Sequence, residues 1–176
     1  DAVVGLGISA FDIARDGSGQ PFVVNDRFDH PFGLGLALEN RTVVNKVLPR
    51  LFRRCGVRRV GQFFTDWFDY LGRRAQSGGD NPLVVIVDSA AEDEDSEISF
   101  LANYCGILRV HPADLTVRKG EVWIKALSRL IPVDVIWKTM PGGEIDSLER
   151  EVRGKPGIAG LFEVMRIGGV TLASHP

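Results

Sequence analysis

Residues 22 to 41 read FVVNDRFDHPFGLGLALENR, and three local patterns succeed one another inside that stretch. Phe22, Val23 and Val24 form a short apolar run of strand type, and Asn25 to His30 then place five polar side chains in six positions. Pro31-Phe32-Gly33 supplies turn chemistry, and from Leu34 onward the apolar spacing is helical. A strand that runs through a polar corner into a helix predicts a mixed α/β chain. Polar groups at a strand end, facing a helix start, are a common way to build a ligand or metal site. The same pattern also suits a plain solvated loop.

Working back from that corner, Leu6 to Ala14 is apolar-rich and Asp16-Gly17-Ser18-Gly19 is turn chemistry, so residues 6 to 28 read as a β-hairpin. Gly5, Gly7 and Ala10 have the spacing of a dinucleotide fingerprint. That motif needs a full strand before it and a helix after it, and the Gly-rich turn that follows rules it out.

Working forward, Leu38, Val43, Val44, Val47, Leu48, Leu51 and Phe52 approximate a helical stripe over Leu34 to Cys55, with Pro49 as a break or kink. A second helix is expected over Val57 to Ala75. Its aromatic stripe of Phe63, Phe64, Trp67 and Phe68 reads as packing surface. Gln76 to Pro82 is the clearest linker. Beyond it, Leu83 to Val87 reads as a strand buried on both faces of a parallel sheet. A helix follows over Glu97 to Cys105, capped by Asp95 or Ser96 and stopped by Gly106. Further strands are expected at Ile107 to Val110, Val133 to Trp137 and Val170 to Ala173. A hairpin is expected around Lys119-Gly120, between Leu115 to Val117 and Val122 to Ala126. Helices are expected at Ile145 to Arg153 and Ile158 to Ile167. The fold class is therefore α/β: an N-terminal β-hairpin and two helices leading into a small parallel or mixed sheet covered by helices. The expected division is 1–75, a linker at 76–82, and an α/β unit at 83–176.

Composition narrows the function classes. With 44% hydrophobic and 25% charged residues the chain is of ordinary globular type. No apolar run approaches the ~20 residues that a bilayer requires. Twenty-one basic against 23 acidic residues leave a net charge of −2, so neither nucleic acid nor an anionic membrane is an expected partner. The basic clusters at Arg50, Arg53, Arg54, Arg58 and Arg59 and at Arg73 and Arg74 read as solvated helix faces. Cys55 and Cys105 have no metal-ligand spacing, which fits a reduced, cytoplasmic protein. The first residues lack the features of a signal peptide, and the absence of an initiator Met is the expectation for a piece of a longer chain.

The residues that could carry chemistry are few. His30, His111 and His175 are scattered, each beside a proline, and no nucleophile elbow or P-loop is present. The run Glu92-Asp93-Glu94-Asp95 precedes a helix whose dipole favours it, and four consecutive acids cannot all converge on one metal ion. Asp134 lies inside an apolar strand, so it needs a hydrogen-bond partner, an Arg for example, or a catalytic role.

The order of segments resembles the circularly permuted type 2 ATP-grasp proteins, the group that includes relatives of glutathionylspermidine synthase. FDIARDGSGQPFVVNDR, HPFGLGLALENR, LANYCGI, ADLTVRKGEV, PVDVIWKT, IDSLE and KPGIAGLFEVMRIGGVTLAS carry it, and Gly33 to Arg41 is its most specific block. The resemblance implies ATP-dependent ligation of a carboxylate to an amine, with magnesium held against the phosphates. In that family the strand entering the corner reads approximately Glu-Asp-Asn, followed by an Arg and a Pro-Ser-Gly turn, with the Glu and Asn as magnesium ligands. Here the matching positions are Asn25, Asp26 and Arg27, then Asp29, then Pro31-Phe32-Gly33. Asn25 offers only a neutral oxygen, Arg27 a permanent cation, and Asp29 the opposite charge to the family's Arg. Asp88-Ser89-Ala90 replaces Thr-Pro-Gly, Glu97-Ile98 replaces a Glu-His pair, and Lys138 replaces an Arg. Pro132-Val133-Asp134, Asp114-Leu115 and Glu39-Asn40-Arg41 are kept.

The resemblance thus makes Asp26 and Asn25 vestigial metal positions, Arg41 a cofactor-binding candidate, and Asp134 and Lys138 catalytic candidates. ATP and magnesium are implied by kinship alone and are not expected to bind this chain unaided, since the family's lysine-bearing ATP lobe falls beyond residue 176. The expected partner is that remainder of the chain, or another protein. The leading expectation is a degenerate, non-catalytic binding or assembly domain, which a mutual ion pair of Asp26 and Arg27 would favour. The alternatives are an active ligase with a rearranged metal site, and a free-standing α/β module.

Overall fold

The computed structural model describes residues 7–31, 33–76, 81–89, 96–149 and 157–173. Phe32, the acidic run at 92–95 and most of the expected linker lie outside them.

The chain opens with an antiparallel hairpin of β1 (Ala10–Arg15) and β2 (Pro21–Arg27). Asp16 shapes its turn, its Oδ1 accepting from the Ser18 amide at 2.8 Å and the Gln20 amide at 3.0 Å. The strand does not stop at Val24 as the polar run implied. Asn25, Asp26 and Arg27 continue the ladder opposite Asp12, Phe11 and Ala10, because polar side chains on an exposed ribbon cost nothing to solvate.

Helix α1 (Leu34–Val47) and helix α2 (Pro49–Arg54) follow, divided where Pro49 was expected to break them. Helix α3 (Gly61–Arg74) starts four residues later than the apolar pattern alone indicates. The sheet from residue 83 onward is all-parallel and four-stranded, in the order β4 (Leu108–Val110), β3 (Val84–Val87), β8 (Val135–Lys138), β9 (Thr171–Leu172). Helix α4 (Ser96–Cys105) links β3 to β4 and stops at Gly106, whose φ is +67°. A separate antiparallel sheet holds β5 (Leu115–Arg118), β6 (Glu121–Lys125) and β7 (Leu130–Val133). Helix α5 (Leu161–Arg166) completes the fold.

Two apolar layers sandwich the parallel sheet. Ile86, Val135 and Trp137 face Leu38 of α1, Phe64, Trp67 and Leu71 of α3, and Ile98 and Leu101 of α4. The alternate residues Val85, Val87 and Ile136 face the small sheet and α5 through Val122, Val133, Leu161 and Val164. Phe64, Trp67 and Phe68 of the α3 stripe are packing surface as expected, with Trp67 edge-on to Trp137 at 5.9 Å, whereas Phe63 is exposed.

Three expectations fail for identifiable reasons. The single strand Val133 to Trp137 divides at Asp134: both the Asp134 and Val135 amides donate to the Leu83 carbonyl at 3.1 Å, so the chain passes there from one sheet to another. Residues 145 to 149 form turns in place of a helix, because the buried Asp146 draws in the amides of Leu148 and Gly160 with one oxygen and Phe162 with the other; residues 150–153 lie outside the described set. The last helix starts at Leu161, since Gly160 sits at φ +82°.

Candidate functional site

Two polar constellations grow out of residues 25 to 29. The first lies on one face of the hairpin. Asn25 and Arg27 are two apart on β2 and project to the same side, whereas Asp26 projects to the other. Asp12 is directly across from Asn25 in the register. Its Oδ2 accepts from Asn25 Nδ2 at 3.2 Å and from Arg27 Nη2 at 3.1 Å. The Arg27 hydrogen bond, followed by that of Asn25, holds the Asp12 carboxyl below the usual aspartate range. The ion pair of Asp26 with Arg27 that would have favoured the non-catalytic reading is not formed: Arg27 pairs with Asp12 across the hairpin, and Asp26 is exposed. Asp12 had no signal in the sequence beyond the hairpin register itself.

This donor set does not fit a magnesium ion. A divalent cation needs several hard oxygen ligands, preferably anionic. Here one carboxylate faces a neutral amide and a guanidinium that already supplies the positive charge. Asp26, the remaining carboxylate, is turned away from Asn25, so the two candidate metal positions cannot share an ion. Among the described residues no group of three or more His, Cys, Asp or Glu side chains is arranged to hold a metal.

The second constellation sits at the carboxyl end of β8, the edge at which open parallel sheets collect ligands. Lys138 is the last residue of that strand, and its side chain is 0% exposed. Its Nζ donates to Asp29 Oδ1 at 2.5 Å, and the same oxygen accepts the Gly142 amide at 2.8 Å. His30 Nδ1 lies 3.5 Å from the other oxygen. Burial pushes the Lys138 ammonium below its ordinary pKa, opposed by Asp29. Burial pushes Asp29 upward, but the Lys138 and Gly142 hydrogen bonds and the Lys138 charge outweigh it, so the net shift is downward. Asp29 and Lys138 are thus a matched pair, which the sequence had offered as two separate departures from a family pattern. Close by on the same edge, the buried Asp88 accepts from Arg109 Nη2 at 2.6 Å, and Arg109 Nη1 donates to Ser99 Oγ at 2.6 Å.

The structure separates the other candidates from this edge. Asp134 precedes β8 and Lys138 ends it, which places them about 13 Å apart at strand rise. Asp134 Oδ2 accepts the Leu83 amide at 2.6 Å and lines a groove of about 1040 Å³ at the amino ends of the strands. Its partner is backbone and not the Arg that the sequence suggested. Arg41 is on the exposed side of α1, where its Nη1 lies 3.5 Å from the Arg58 carbonyl. The structure does not bring Arg41, Asp134 and Lys138 together.

The corner also depends on Glu97, which sequence reasoning had noted only as half of an altered pair. From α4 its Oε1 accepts the Gly33 amide at 2.7 Å and the Gly35 amide at 2.9 Å, capping the start of α1 from another element. Gly33 adopts φ +100°, a conformation that side chains disfavour.

Residues 2–176 match the family model described as circularly permuted ATP-grasp type 2. Curated relatives include an uncharacterized protein of Synechocystis sp., 31% identical over 170 residues, which cover 96% of this chain and 35% of that protein. A Mycobacterium leprae protein, also uncharacterized, is 29% identical over 172 residues, 97% of this chain and 31% of its own length. An uncharacterized Mycobacterium tuberculosis protein is 29% identical over 170 residues, 96% of this chain and 19% of its own. The chain therefore spans about a third or less of the length of these relatives. No helix among the described residues is long and apolar enough to cross a membrane.

Proposed function

The chain belongs to the circularly permuted ATP-grasp type 2 family, and from that premise we propose that it is a degenerate, non-catalytic portion of such a protein, serving in binding or assembly. The observation that carries this reading is the Arg27 guanidinium held 3.1 Å from Asp12 beside Asn25. It puts a tethered cation on the strand face where the family resemblance implies magnesium ligands. A magnesium ion there would meet a positive charge that cannot be removed by deprotonation. Lys138 supports the same reading, because Asp29 of this chain already pairs with its charge. On this reading ATP and magnesium are ancestral to the fold and not ligands of this chain alone. Its partner is the remainder of a longer chain or another protein, in the cytoplasm.

One observation keeps an active ligase as the second reading. Asp26 is exposed on the opposite face of β2 and could join acids supplied from outside these residues. In that case the protein ligates a carboxylate to an amine, in the manner of the glutathionylspermidine synthase relatives.

Isothermal titration of the full-length protein with Mg-ATP separates the two. Absence of magnesium-dependent binding supports the non-catalytic reading, and tight magnesium-dependent binding overturns it.

A further inference from the structure

A buried ammonium is sustained only where an anion answers it, and the geometry around Lys138 is asymmetric in an informative way. The cation is wholly enclosed, with 0% of its side chain exposed, whereas the Asp29 side chain that answers it is 46% exposed. The two residues are 109 positions apart, and Asp29 belongs to the connection between the hairpin and α1. A second donor, the Gly142 amide, converges on the same Asp29 oxygen from the segment after β8. One cation at the sheet edge and one backbone N–H from the turn that follows it therefore converge on a single carboxylate oxygen carried in by a different segment. That is how a receptor for an oxyanion holds its ligand.

We propose that Lys138 Nζ and the Gly142 amide form a binding site for a carboxylate or phosphate oxyanion, and that Asp29 is its internal occupant. The site lies at the carboxyl edge of the parallel sheet, and the Asp29 carboxylate excludes free anions from it. This goes beyond the non-catalytic reading and does not depend on it, because the site requires neither magnesium nor ATP.

The test uses the full-length protein with Asp29→Ala and measures the thermal midpoint against acetate and against phosphate, at ionic strength held constant with chloride. The expected result is a saturable rise in the midpoint of the variant, half-complete at a concentration at least tenfold lower than any response of the wild type. The acetate and phosphate arms report which oxyanion the site prefers. Asp29→Ala combined with Lys138→Met, which removes both charges, is expected to lose the response. If Asp29→Ala does not fold in chloride, recovery of the folded signal in acetate or phosphate supports the site. The proposal is overturned if neither anion acts on the variant beyond the chloride control, if the double variant responds equally, or if the single variant stays unfolded in both anions.

Discussion

Glu97 of α4 lies so close to Gly35 of α1 that a Cβ at Gly35 would stand 2.8 Å from the Glu97 carbonyl oxygen and 2.7 Å from its Cγ. The same contact lets the Glu97 carboxylate take the Gly35 amide at 2.9 Å. Gly35→Ala is therefore expected to destabilise the protein by about 1–3 kcal/mol, the usual cost of overpacking against backbone that cannot move aside. Glu97→Ala, which strips two amides of a charged acceptor, is expected to cost about 2–3 kcal/mol. Urea denaturation checks both, and a loss below a few tenths of a kcal/mol in either would contradict the contact.

Asp29 makes stability depend on acid in a definite direction. Its folded pKa is lowered, so the unfolded chain binds the proton more tightly. The stabilisation is fully present above the ordinary aspartate value of about 3.9 and is lost as pH falls through the lower folded value. Lys138 has the same slope in a higher window: burial lowers its pKa, so its contribution is unfavourable at neutral pH and is relieved as pH rises toward the ordinary lysine range. Thermal melts between pH 2.5 and about 6 should show a smaller drop in Asp29→Asn than in the wild type. Equal drops would mean that the pair contributes nothing to folding.

The two cysteines should differ in reactivity. Cys55 is exposed, whereas burial raises the Cys105 thiol to about 11. At neutral pH iodoacetamide is expected to label Cys55 in the native protein, and Cys105 only after unfolding, because the thiolate is the nucleophile. Mass mapping of the alkylated peptides reads this directly.

Asp134 is expected to behave as a structural residue. Its carboxylate holds the Leu83 amide where the chain passes from β7 to β8. Asp134→Ala should cost about 1–3 kcal/mol by orphaning that amide, and Asp134→Asn, which retains an acceptor, clearly less. The anion response at Lys138 should be unchanged in an Asp29→Ala background, since the two residues occupy opposite ends of the strand.

Local chemistry was legible in the sequence and remote pairing was not. The Asp16 to Gly19 turn, the Pro49 break, the Gly106 stop and the Lys119-Gly120 hairpin each follow from the conformational preference of a residue or two, and each is found where expected. Lys119 and Gly120 are both left-handed, at φ +53° and +78°, as a tight hairpin turn demands. The passage between sheets at Asp134 and the turns organised by Asp146 were hidden, because in both a carboxylate takes backbone amides that an apolar pattern assigns to regular structure. The candidate site was half legible. The odd residues Asn25, Arg27, Asp29 and Lys138 stood out one at a time, but their meaning lies in partners. Asp12 is 15 residues from Arg27, and Asp29 is 109 residues from Lys138. No local pattern encodes either pairing.

The proposal that the Arg27 guanidinium stands where the family resemblance implies a metal is tested most directly by manganese binding. The free-ion electron paramagnetic resonance signal of Mn²⁺ would be followed as the full-length protein, wild type or Asn25→Glu with Arg27→Asn, is added in the presence of ATP. Wild-type protein is predicted to leave the signal unchanged beyond what ATP itself removes, while the double substitution, which restores hard oxygen ligands on that strand face, is predicted to quench it further. Stoichiometric quenching by the wild type, equal to that of the double variant, would contradict the account.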